Sequence, residues 1–320
     1  MPCGSLSALH MTTPTRRQFL QATAATLLAA PGARAIEPLG RTGKPRLQLA
    51  LAAYSFREFF AGELQRAPGK KGPAPGASMD MFKFIDYCAE HGCDGAELTS
   101  YFFPKALTSD YLVQVRRHAF LKGVAVSGTA IGNNFSHPKG EKRDAEIAAT
   151  KQWIDRAAVL GAPHIRVFAG QTKEIERDAA DKLVVAALEE CCDYAGQKGI
   201  FLGIENHDAI GSAEHLLKLI KQVRSRWLGV NLDSGNFRTA DPYKDFAEIA
   251  PYAVNVQLKT EINPVGGAQP GPQPADLPRL VKLLRAAHYQ GFVALEFEGK
   301  EDPFKTVPPV LQRLKELFAA

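Results

Sequence analysis

The chain has 320 residues, 45% of them hydrophobic and 23% charged, with a formal net charge of +5. Residues 1–35 hold three arginines and no acidic residue, so residues 36–320 carry 36 basic against 34 acidic side chains, a net of +2. A body so near neutrality has no electrostatic attraction for nucleic acid or for a membrane surface, and its length is that of a (β/α)8 barrel.

In chain order, residues 1–35 read as a cleaved export signal. Arg16 and Arg17 precede an apolar run from Ala22 to Ala30, and small residues close the segment at Ala33-Arg34-Ala35. That order of features is the layout of the twin-arginine type. The run is too short to span a bilayer as a helix, and no later stretch is apolar enough to do so. The expectation is a mature domain over 36–320, delivered folded to the periplasm or another extracytoplasmic space, with no membrane attachment after cleavage.

From there short β-rich runs alternate with amphipathic helical runs. The predicted strands are 47–55, 95–98, 124–130, 164–170, 200–206, 227–233, 253–259 and 292–298. Between them lie segments such as DAADKLVVAALEECCDYAGQKG (178–199), with apolar residues at helical spacing and a glycine at the expected C-cap. The alternation predicts a parallel sheet, and eight units predict closure into a single-domain α/β TIM barrel. No G-x-G-x-x-G follows the first strand, which argues against a dinucleotide site. Two Pro/Gly-rich insertions follow strands. The stretch 67–78 reads as a plain loop, and 263–276 reads equally as a mobile lid or a loop. Cys191 and Cys192 are adjacent on a helix, and Cys88 and Cys93 lack a second pair of zinc type. All four are expected as buried small side chains.

In such a barrel the chemistry sits at the C-terminal ends of the strands. Strand five ends in Glu205, strand six in Asp233, strand seven carries Gln257, and strand eight carries Glu296, each after apolar β-type residues. Glu298, two residues further on, rivals Glu296. Carboxylates crowded at one mouth repel one another, and a divalent cation resolves that repulsion. Oxygen ligands favour Mn, Mg or Co, with Zn the choice where a histidine is available.

The motifs I-E-N-H (204–207), N-L-D-S-G-N (231–236), Q-L-K (257–259) and L-E-F-E (295–298) resemble the xylose isomerase-like TIM-barrel superfamily of sugar phosphate isomerases and epimerases. The resemblance spans roughly 45–318. It implies a Mn-type metal on Glu205, Asp233, Gln257 and Glu296, with Gln257 and Asn236 standing where the family often has histidines. It implies an enediolate mechanism in which Glu205 and Glu296 are the acid/base pair. Lys259 then stabilises the enediolate oxygen, or is a solvated surface lysine. His207, Asn236, Arg166 and Glu97 are the expected substrate contacts, Arg166 reading equally as a structural ion pair. Tyr54, Phe56 and Phe135 are candidates for an apolar wall.

The expected partner is a small-molecule sugar or keto-glycoside, and relatives of this kind often form homo-oligomers. A keto-glycoside lyase or hydratase would use the same enediolate chemistry with loss of a leaving group. A sugar-binding barrel without catalysis would explain Gln257 and Asn236, but not two retained glutamates. The endonuclease IV branch of the resemblance cleaves DNA with three zincs held by several histidines, and strands six and seven supply none.

Overall fold

A computed structural model describes residues 36–320, apart from 63, 65–75, 77 and 172. The expected export signal lies outside the described residues, as does most of the 67–78 insertion. The alternation read from sequence is real. Eight strands, β1 (Arg46–Ala52), β2 (Gly95–Thr99), β3 (Ala125–Ala130), β4 (His164–Val167), β5 (Phe201–Glu205), β6 (Leu228–Asp233), β7 (Ala253–Leu258) and β8 (Gln290–Leu295), form a closed barrel. Every neighbouring pair is parallel, and β1 pairs with both β2 and β8 to close the ring. Eight helices interleave: α1 (Met81–Glu90), α2 (Ser109–Leu121), α3 (Glu141–Leu160), α4 (Arg177–Gln197), α5 (Ala213–Ile220), α6 (Pro242–Ile249), α7 (Leu277–Ala286) and α8 (Pro303–Ala319). Six of them start on an Asp, Ser or Thr whose side chain accepts a backbone N–H of the first turn. Gly161 closes α3 in the left-handed conformation at φ 76°. Among the described residues no helix is long and apolar enough to cross a membrane, and Cys88, Cys93, Cys191 and Cys192 are free and buried.

The strands alternate with period two. In β5, β6 and β8 the residues Leu202, Ile204, Leu228, Val230, Leu232, Val293 and Leu295 join the main apolar core against the helices. Their neighbours Gly203, Glu205, Asn231, Asp233, Ala294 and Glu296 fall in the opposite phase. The apolar part of the barrel interior is small, with Ala50, Ala52 and Ala294 packed by Phe292. One irregularity matters. Val230 pairs with Ala253 but Asn231 pairs with Asn255, so Val254 is an extra residue in β7. The bulge resets the phase of that strand, and Asn255 and Gln257 enter the interior as a result.

Inside, four side chains close a ring. Asn255 Nδ2 donates to Glu97 Oε2 at 2.6 Å and to Asn231 Oδ1 at 2.8 Å. Asn231 Nδ2 donates to Gln257 Oε1, and Gln257 Nε2 donates to Glu97 Oε1, both at 2.6 Å. Glu97 from β2 is thereby bound across the interior to β6 and β7. The His164 ring lies alongside, in space that exists because residue 128 has no Cβ; one placed there would fall 1.9 Å from the imidazole Cε1. Burial holds His164 down to about 4, so it is a neutral packing group.

Two substitutions test this interior. In Glu97→Gln the amide offers one acceptor where the carboxylate offered two, leaving a buried N–H of Asn255 or Gln257 facing another donor. We expect a loss of about 1–3 kcal/mol, read from the urea unfolding midpoint; wild-type stability would disprove the ring's contribution. Gly128→Ala should lose about 1–3 kcal/mol by forcing the His164 ring from its place, again by urea unfolding, with an unchanged midpoint as the contrary result.

Candidate active site

Glu205 and Asp233 are the last residues of β5 and β6, and Glu296 follows the last residue of β8. Lys259 follows the last residue of β7. All four are buried at the mouth, with Asp233 fully enclosed and Lys259 8% exposed. Their backbones are pinned. Asp233 N–H donates to Asn206 Oδ1 (2.9 Å) while Asn206 Nδ2 returns a bond to Asp233 O (2.8 Å). Lys259 N–H donates to Ser234 Oγ (2.9 Å), and Glu296 N–H to Leu258 O (2.9 Å).

The Lys259 ammonium is the hub. Its Nζ lies 2.8 Å from Glu296 Oε2, 3.0 Å from Glu298 Oε2 and 3.2 Å from Asp233 Oδ2. Its stem passes over Gly235, where an added Cβ would sit 2.7 Å from Lys259 Cδ. Lys259 is thus a site residue and not a solvated lysine. Between the two rival glutamates, Glu296 is buried while the Glu298 side chain is 42% exposed, and both serve the same ammonium.

Glu205 faces a second cation. Arg166 Nε lies 3.1 Å from Glu205 Oε2, and Asn236 Nδ2 donates to Glu205 Oε1 at 2.8 Å. The guanidinium also donates to Ile131 O and stacks over Phe168 at 4.0 Å. Arg166 and Asn236 therefore reach the site, by holding Glu205. His207 sits at the rim, its ring 4.4 Å from that of Phe168 and its Nδ1 3.0 Å from Asp208 Oδ2. The fourth strand is shorter than expected because Asn133 exchanges two hydrogen bonds with the Phe168 backbone, standing in for a strand neighbour.

Environment separates the two glutamates. Burial pushes Glu205 up to about 8, against the pull of Arg166. Glu296 is just as buried, but Lys259 outweighs burial and holds it below the usual carboxylate range. Burial thus favours the protonated form of Glu205, and Lys259 favours the ionised form of Glu296. Burial also raises Asp233, and pushes Glu97 up to about 7 with help from the Glu296 charge. For Lys259 burial works against the charge, yet Asp233, Glu296 and Glu298 keep the ammonium above its ordinary range.

Several expectations need correction. Gln257 is not turned to the mouth as a carbonyl ligand, because its oxygen accepts from Asn231 and its amide nitrogen serves Glu97. Glu97 is no substrate contact; both of its oxygens are spent in the ring and it is fully buried. Phe56 packs against Tyr87 and Phe304 on the helix side, and Phe135 is buried, so of the three aromatics only Tyr54 borders the site, edge-on to Tyr101 at 6.4 Å. Of the four expected ligands, Glu205, Asp233 and Glu296 share the mouth, while the Gln257 oxygen is turned to Asn231. Among the described residues no group of three or more His, Cys, Asp or Glu is placed to hold one. The donors present suit an ammonium and a guanidinium, and a metal does not fit them.

The residues missed by sequence reading are Asn206, Asn231, Asn255, Ser234 and Tyr101. Counting back by two from Asp233 and Gln257 marks Asn231 and Asn255 as inward-facing. Nothing in the sequence marks Tyr101, whose ring lies 3.1 Å from where a Cβ on Gly132 would be.

A pocket of about 190 Å³ opens beside Lys259, Glu298 and Asn236. Its outer wall includes Ile262, Asn263 and Pro272 from the 263–276 insertion and its base. Glu261–Ile262 and Gln273–Pro274 pair there as a short antiparallel ribbon, and Val265 N–H donates to Thr239 O beyond β6.

A 3-keto-D-glucoside 4-epimerase from E. coli superposes with a TM-score of 0.63 at 17% identity, over 85% of this chain and 100% of that one. A D-psicose 3-epimerase with D-tagatose from Clostridium cellulolyticum H10 gives 0.63 at 16%, over 83% and 89%. A xylose isomerase-like TIM barrel protein from Mycobacterium smegmatis in complex with magnesium gives 0.65 at 20%, over 85% and 96%. No curated protein sequence matches the chain. The model of the xylose isomerase-like TIM barrel matches residues 85–317, more than half of the sequence, so the chain belongs to the xylose isomerase-like TIM barrel family.

Proposed function

We propose that this protein is an epimerase or isomerase of a sugar or keto-sugar that works through an enediolate, with Glu296 as base and Glu205 as acid. The observation that carries the reading is a pair of buried glutamates at one mouth set against different cations, Glu296 on the Lys259 ammonium and Glu205 on the Arg166 guanidinium, with burial raising Glu205 and Lys259 lowering Glu296. Enzymes arrange acid and base in that way, by giving two like groups environments that push them apart. Several fold relatives are described as sugar epimerases, which supports the substrate class.

In this reading a keto-sugar enters from the pocket beside Lys259 and Asn236 and lays its carbonyl oxygen against the ammonium. Glu296 takes the proton from the adjacent carbon, the C–H electrons move into the C–C bond, and the carbonyl oxygen becomes the enediolate oxygen that Lys259 stabilises. Glu205 delivers its proton to the opposite face, and the carbonyl reforms with inverted configuration. Asn236 and Arg166 hold the Glu205 carboxyl in place, and His207 at the rim is a contact for a sugar hydroxyl. No step passes through a divalent metal, manganese included, because the donor set does not fit one. The reading includes export by the twin-arginine route and an extracytoplasmic sugar.

Deuterium uptake from heavy water into a panel of keto-sugars tests it. Wild type should incorporate deuterium next to the carbonyl without releasing a leaving group; release of an aglycone would point to a lyase instead. Glu296→Gln should lower exchange about 10²–10⁴-fold, and Glu205→Gln should lower formation of the inverted epimer to a similar extent. Glu205 is a carboxyl raised above its ordinary value, so its proton is present at low pH and lost as pH rises. Epimerisation should therefore fall as pH passes about 8. A flat profile there, or the same fall in Glu205→Gln, would sink the acid assignment.

A further inference from the structure

We infer that Lys259 is the resident cation of this site, standing in for the divalent metal that the resemblance implied, so that the protein binds its sugar and works metal-free. The inference deepens the epimerase reading and rests on it for the chemistry, but not for the metal.

The geometry is that of an ammonium site. A lysine head has three N–H donors and no acceptor. Here three carboxylates, Asp233, Glu296 and Glu298, each place an oxygen 2.8–3.2 Å from that one nitrogen. The arrangement is also built to hold the lysine. The absence of a side chain at Gly235 admits the stem, and the Ser234 hydroxyl fixes the Lys259 backbone. Both adjustments come from the N-L-D-S-G-N segment that also supplies Asp233.

The remaining groups are engaged by protein partners, apart from Asp233 Oδ2, which meets only the ammonium. Glu205 is met by Arg166 and the Asn236 amide. Asp233 Oδ1 accepts the Gly235 backbone N–H at 2.7 Å. The Gln257 carbonyl is turned inward to Asn231. Lys259 and Arg166 together bring two fixed positive charges to the mouth, the same charge a divalent ion would bring. A divalent ion entering among Asp233, Glu296 and Glu298 would have to displace the ammonium or sit against it, and like charges at such distances in a buried site repel strongly.

The test uses the purified protein and Mn(II). After dialysis against EDTA, metal content is measured by mass spectrometry, Mn(II) is titrated in with free ion followed by electron paramagnetic resonance, and deuterium exchange into the sugar panel is compared with EDTA and with Mn(II). The expected result is substoichiometric metal, no Mn(II) bound by wild type, and the same exchange rate in both conditions. Lys259→Met should lose exchange on the order of 100-fold, whereas Lys259→Arg, which keeps a cation, should retain more of it. One equivalent of Mn(II) bound by wild type, or exchange abolished by EDTA and restored by Mn(II), overturns the inference. If no sugar exchanges in either condition, the epimerase reading fails, and the Mn(II) titration of wild type still decides whether Lys259 has taken the metal's place.

Discussion

Moving an ammonium out of water carries a penalty on the order of several kcal/mol unless every one of its donors is met by charge and geometry together. At the mouth of this barrel that requirement organises its surroundings. Asp233 ends β6, while Glu296 and Glu298 follow β8, and the parallel order β6–β7–β8 sets both beside the end of β7. The ammonium in turn lets Glu296 remain ionised where burial alone would protonate it. Glu205, across the mouth, sits nearer a delocalised guanidinium that it shares with a backbone carbonyl and a phenyl face, and burial prevails there. The difference between the two glutamates is a difference between their cations.

Below the mouth lies a layer that carries no chemistry but sets its floor. The Glu97–Gln257–Asn231–Asn255 ring links amides and carboxylate in a closed circuit that leaves only Asn255 Oδ1 of its oxygens without a partner, which is how a barrel interior tolerates so many polar atoms. It also explains why the small apolar cluster inside is made of alanines: the space is taken by the ring, by His164 and by the Phe292 side chain.

The barrel was legible from the alternation of strands and helices because both periods are strong in this chain, and strand ends were located to within a few residues. Glu205, Asp233, Glu296 and Lys259 were legible because each closes an apolar run at the face where barrels do their chemistry. What could not be read was the depth of each residue. Gln257 and Glu97 look like mouth residues in a linear pattern, yet both lie one layer down, and the Val254 bulge that resets the phase of β7 leaves no mark in the sequence. Nor does a strand pattern tell a lysine at the rim from one folded inward; the difference depends on a missing side chain at Gly235, in a different connection. The family resemblance marked Gln257 and Asn236 as replacements for histidines, but not that Gln257 would bind Asn231 and Glu97 or that Asn236 would bind Glu205.

The insertion after β7 has a further meaning. Its two arms pair with each other as a short ribbon, and it bonds to the segments after β6 through Val265 N–H to Thr239 O and Asp276 N–H to the Tyr243 hydroxyl, while no described hydrogen bond or ion pair runs from it to the charged groups at the mouth. It nonetheless forms part of the wall of the pocket beside Lys259. The outer pocket wall and the buried charges are thus carried by separate pieces of chain. The insertion can change in length or sequence, and with it the width of the pocket, while the buried charges at the mouth stay as they are.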